Sequence, residues 1–103
     1  MSDRLEKLEQ LLQRDPKDTF VLYGIAMEHK KAGRATEAAD YFDRVLSIDP
    51  GYCYAYHQKG LPHESTGDMD SARKTYRLGI EAAKKKGDAH AAEEIAAALA
   101  MIE

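Results

Sequence analysis

Residues 15–50 read DPKDTFVLYGIAMEHKKAGRATEAADYFDRVLSIDP, and this stretch opens and closes on the same dipeptide. Pro16 and Pro50 stand 34 residues apart, and the same offset relates Gly33 to Gly67, Ala38 to Ala72 and His29 to His63. A period of about 34 residues marks stacked helical hairpins, each too small to bury its own apolar face. The repeat therefore sets the fold and turns the functional question from chemistry toward binding.

Working outward, Leu5, Leu8, Leu11 and Leu12 form one stripe of a helix over 3–14. Pro16 stops it, because the proline ring clashes with a continuing helix and biases Asp15 away from helical angles. Asp18 stands at an N-cap position before a helix from Thr19 to Ala32, which Gly33 ends. A further helix over 35–48 carries Ala38, Phe42, Val45, Leu46 and Ile48, with Thr36 and Glu37 in its first turn, and stops at Asp49-Pro50. Then the pattern restarts: Tyr52 to Thr66, a turn at Gly67-Asp68, Met69 to Lys86, a break at Gly87-Asp88, and an Ala-rich helix from Ala89 to Ile102. No useful stretch alternates with period two. The expectation is one all-α domain of about six helices whose short loops force neighbours antiparallel.

This pattern resembles the tetratricopeptide repeat (TPR) family. Leu22 and Tyr56 match the bulky residue that opens the family's hairpin, and Ala26 and Gly60 match the small residue where its helices cross. The family usually has Tyr a turn later, where this chain has His29 and His63. Gly33 and Gly67 fill the turn, Ala38 and Ala72 the small site of the second helix, and Phe42 and Tyr76 its aromatic site. The next small site holds Val45 and Gly79. Pro50 closes the first repeat, but Lys84 stands where a second closing proline belongs, so that helix should run longer. The resemblance implies a short right-handed superhelix: a truncated-repeat helix at 3–14, repeats at 19–52 and 53–86, and a capping helix at 89–102. Leu8, Leu11 and Leu12 would occupy the packing sites of the truncated repeat.

In such stacks the first helix of each hairpin lines a concave face. With Leu22, Ala26 and His29 turned to the partner helix, Phe20, Tyr23, Met27 and Lys30 fall on another stripe. The same offsets in the second hairpin give Tyr54, His57, Leu61 and Glu64, and the resemblance places both stripes in the groove. An outward stripe of Tyr and Met offers area, a hydrogen bond and adaptable shape. Members that grip chaperone tails use Lys, Asn and Arg on these helices. Here those positions hold Tyr23, Met27, His57 and Gln58, so that clamp is absent. Pro62 lies inside the second hairpin's first helix and deletes a bond to the Gln58 carbonyl, which predicts a kink or an early end. Gly60 softens the same region, and the freed Gln58 carbonyl and His57 become candidate ligand contacts.

The remaining chemistry is sparse. His63-Glu64 begins a zinc-protease motif, but Gly67 takes the place of its second His. His29 and His63 read as satisfied core residues, and Cys53, without a second Cys or an evident base, as a buried filler. Glycines occur singly, so no phosphate-cradling loop is formed. No enzyme activity, metal or cofactor is expected. The net charge of −3 argues against nucleic acid, and Lys84, Lys85 and Lys86 complement a helix end. No apolar run spans a membrane. The Met1-Ser2 start without an apolar leader and the lone cysteine suggest a cytoplasmic, bacterial protein. The expected function is binding a peptide or helix of a partner protein through Phe20, Tyr23, Met27, Lys30, Tyr54, His57, Gln58, Leu61 and Glu64. The alternative is self-association into a homo-oligomer through the last helix, with Ile95, Leu99, Met101 and Ile102 among alanines.

Overall fold

The computed structural model describes residues 3–103; the Met1-Ser2 start lies outside them. Among the described residues six helices run in order: α1 (Asp3–Arg14), α2 (Thr19–Lys31), α3 (Ala35–Ile48), α4 (Cys53–Ser65), α5 (Met69–Lys86) and α6 (Ala89–Ala100). Each helix packs on the next, and among the described residues the further close backbone approaches join α2 to α4 and α4 to α6. This near-neighbour order is the superhelical stacking of helical hairpins.

The sequence period reappears as backbone geometry. Gly33 and Gly67 take φ of +79° and +82°, a region glycine enters without steric cost. Around each, the same pair of bonds closes the helix. Arg34 N–H donates to the His29 carbonyl (2.9 Å) and Gly33 N–H to Lys30 (3.1 Å). One repeat later Asp68 N–H donates to His63 (2.9 Å) and Gly67 N–H to Glu64 (3.0 Å). These are paired Schellman caps, which satisfy carbonyls that a helix end leaves orphaned. At the other ends Asp18 caps α2 by accepting from the N–H groups of Phe20 (3.0 Å) and Val21 (3.3 Å). Asp68 and Asp88 cap α5 and α6 in the same way, accepting from Ser71 (3.2 Å) and Ala91 (3.0 Å). The hydrogen bonds from Ser71 hold the Asp68 carboxyl below its ordinary range.

Burial follows the hairpin order. Leu5 and Leu8 of α1 meet Val21 and Ile25 of α2. Leu22 and Ala26 meet Ala38, Phe42 and Val45 of α3, and Ala55 of α4 joins them. Cys53, Ala72, Tyr76, Ala83, Ala91, Ile95 and Leu99 form the third cluster, across α4, α5 and α6. Phe42 and Tyr76, one repeat apart, are both fully buried. The backbone of Gly60 lies against the Tyr76 ring, where no side chain fits.

Two expectations need correction, those for Leu11 and for the two histidines, and two others are refined. Leu11 is exposed, because among the described residues α1 lies mainly against α2, which covers one narrow stripe; Leu5 takes its place inside. Of the kink or early end expected at Pro62, the early end does not occur, since the helix continues to Ser65. The Pro62 carbonyl there accepts from the Ser65 hydroxyl (2.8 Å) and the Thr66 N–H (3.1 Å). His29 and His63 are half-buried rather than core residues, since both lie in the last turn beside solvent. His29 stacks on Tyr41 (5.5 Å between ring centres) and its Nδ1 accepts from Arg34 Nε (2.8 Å). The last helix ends at Ala100, with Met101 and Ile102 in a turn.

Candidate functional site

The first helices of the two hairpins, α2 and α4, carry every residue singled out for binding, and the structure divides these residues into three groups. The first is aromatic. Tyr23 is half-buried, edge-on to Phe42 of α3 (5.7 Å between ring centres, 68°) and stacked on Tyr52 (5.1 Å, 26°). Beside it Phe20 is 72% exposed and Tyr54 36% exposed. Burial, and then the neighbouring Tyr52 and Tyr54, push the Tyr23 phenol above its ordinary 10.0, so near neutral pH it stays protonated and can donate. Burial, followed by the carboxylates of Asp88 and Glu94, moves Tyr54 the same way. Met27 is half-buried and packs on the cluster shared by α2 and α3.

Tyr52 was not among the candidates. In the sequence it reads only as the start of a helix. Its place beneath Tyr23 depends on how the α3–α4 turn folds back, and no local spacing reports that.

The second group joins the hairpins. Lys30 Nζ donates to the Gln58 side-chain oxygen (2.5 Å), linking α2 to α4. Lys30 also lines a cavity of about 220 Å³ with Leu61, Pro62 and Ala35. In the third group polar or ring capacity is taken up inside the second hairpin. The Tyr76 hydroxyl donates to the Glu64 carboxylate, and His57 sits edge-on to the Tyr76 ring (6.1 Å, 75°). Desolvation and then the Glu64 contact keep the Tyr76 phenol strongly biased toward its neutral form.

Cys53 is buried in the third core cluster, with its Sγ 3.9 Å from an Asp88 carboxylate oxygen. Among the described residues no three His, Cys, Asp or Glu side chains converge as a metal site would require. No helix there is long and apolar enough to cross a membrane.

The family model for the tetratricopeptide repeat matches residues 21–52 and 54–86. A TPR repeat-containing protein of Pseudomonas aeruginosa is 28% identical over 91 residues, spanning 88% of this chain and 87% of its own length. A tetratricopeptide repeat domain protein from Salinibacter ruber, solved in solution, superposes with a TM-score of 0.80 at 34% identity. That match covers 86% of this chain and 90% of the other. PcrH, crystallised in complex with the chaperone binding region of PopD, shares the fold with a TM-score of 0.88 at 16% identity. It covers 95% of this chain and 74% of its own. With the helix order, the paired glycine caps and these matches together, the chain belongs to the tetratricopeptide repeat family.

Proposed function

We propose that this chain is a non-enzymatic module that docks a peptide or helix of a partner protein along α2 and α4. In this reading α2–α3 and α4–α5 serve as the two repeats, 19–52 and 53–86, with α1 as the truncated repeat and α6 as the cap. The observation that carries it is the aromatic surface of Tyr23, Tyr52, Tyr54 and Phe20. Tyr23 is held by two ring contacts, while Phe20 stays largely open. Rigid, amphipathic rings on preorganised helices lose little entropy on binding and make strong anchors. The fold neighbour PcrH, crystallised with a segment of PopD, lends support by architecture. A buried lone thiol and a net charge of −3 fit a reducing, cytoplasmic setting and a protein partner rather than nucleic acid.

Affinity capture from the source cell, followed by mass spectrometry, compares the wild type with Tyr23→Ala plus Tyr54→Ala. Loss of two aromatic anchors at about 2 kcal/mol each should release the specific prey by well over an order of magnitude. Prey recovered equally by both proteins would remove the groove reading.

A second reading is association between copies through the last helix. It loses Ile95 and Leu99, which are buried in the third core cluster with Ile102 packed against it. It rests on Met101, 85% exposed just past α6, with Leu11, 47% exposed on α1. Light scattering decides it. A mass near 11.5 kDa at working concentration would dismiss it.

A further inference from the structure

Lys30 and Glu64 occupy the same place in the two repeats, 34 residues apart, yet they act differently. In the second hairpin the buried ring is Tyr76, and its hydroxyl occupies Glu64. In the first the ring is Phe42, which has no hydroxyl, and Lys30 reaches across to Gln58 instead. An ammonium carries three donors. The Gln58 amide oxygen takes one and brings no negative charge.

Among the described residues no carboxylate pairs with Lys30, whereas Lys59 on α4 pairs with Asp43 (2.6 Å). Burial pushes the Lys30 pKa down, as expected for a cation short of counter-charge. Next to it is the 220 Å³ cavity, walled by Ala35, Leu61 and Pro62. Ser65 also lines it, but its hydroxyl is turned back to the Pro62 carbonyl (2.8 Å). Lys30 is thus the one charged residue in the lining.

We propose that the cavity takes an aliphatic side chain of the partner peptide while Lys30 pairs with an Asp or Glu of that peptide next to it. The inference rests on the groove reading and adds the partner's chemistry. Charge complementarity selects it: a basic residue here would meet an uncompensated ammonium, and a carboxylate supplies the missing acceptor. Lys30 and Leu61 share helices with Tyr23 and Tyr54, so a segment lying along α2 and α4 passes the cavity. The acid is therefore a side chain within that segment.

The test is display selection of random 12-residue peptides, followed by calorimetry on selected sequences synthesised with acetylated and amidated ends. The expected peptides carry Leu, Ile or Val within one turn of Asp or Glu. Changing that acid to its amide should weaken wild-type binding about tenfold, the size of one charge-assisted hydrogen bond. The same change should not alter binding to Lys30→Met, and Lys30→Arg should retain the preference. Lys30→Met is first checked for a wild-type melting curve, with Lys30→Arg as the folded control if it fails.

Peptides that lose affinity with Tyr23→Ala plus Tyr54→Ala but show no acid preference would overturn this inference and leave the groove standing. Peptides indifferent to both tyrosines would overturn both. Binding that requires a free C-terminal carboxylate would also overturn it.

Discussion

Gly60→Ala is expected to destabilise the protein, although alanine in a helix interior normally stabilises by about 1 kcal/mol over glycine. A Cβ at Gly60 would fall 2.8 Å from Tyr76 Cδ1 and closer still to Cε1 and Cζ, well inside van der Waals contact. Tyr76 cannot step aside, because it is fully buried and its hydroxyl is tied to Glu64. Overpacking of this kind costs about 1–3 kcal/mol or more, so the net loss should be about 2 kcal/mol. For a chain of this size that lowers Tm by roughly 10 °C. Adding Tyr76→Leu should recover part of the loss, since the two substitutions share one contact. A Gly60→Ala protein that melts at or above the wild-type temperature would show that the helices are not this close.

Phe42→Ala should have the largest effect on stability, about 3–5 kcal/mol, because the ring is fully buried and an aromatic-to-alanine change leaves a cavity. Such a loss is a large share of the stability of a small domain and should leave the fold barely populated at 37 °C. Phe42 also supports the proposed docking surface, since Tyr23 rests edge-on against it. Phe20→Ala is the counterpart: at 72% exposure its removal should change stability by less than about 0.5 kcal/mol while weakening partner binding. Chemical denaturation of both variants, with binding to a selected peptide measured alongside, separates the two roles. Equal stability losses at the two positions would contradict the assigned core and surface.

The turns were the most legible part of the molecule. A proline or an αL glycine acts through its own backbone, so Pro16, Gly33, Pro50 and Gly67 mark helix ends without reference to tertiary structure. Stripe reading was less complete. It recovers Leu22, Ala26 and Phe42, which face a neighbour inside one hairpin, but overcounts α1, where the stripe buried mainly against α2 takes in Leu5 and Leu8 and leaves Leu11 out. Pro62 shows a local rule tempered by position: near the end of α4 it deletes a helical hydrogen bond without stopping the helix. Least legible were pairs made across hairpins or turns. The Tyr23–Tyr52 stack, the Lys30–Gln58 bond and the Glu64–Tyr76 bond depend on how the rods settle against each other. A residue's type suggests its capacity for such bonds, but its partner is set by the packing.

The most direct test of the binding claim is amide chemical-shift mapping on the isotope-labelled protein, titrated with an acetylated, amidated peptide from the display selection. The account predicts shifts that concentrate at Phe20, Tyr23, Met27 and Lys30 of α2 and at Tyr54, Gln58 and Leu61 of α4. Shifts confined to α3 and α5, with α2 and α4 unmoved, would contradict it.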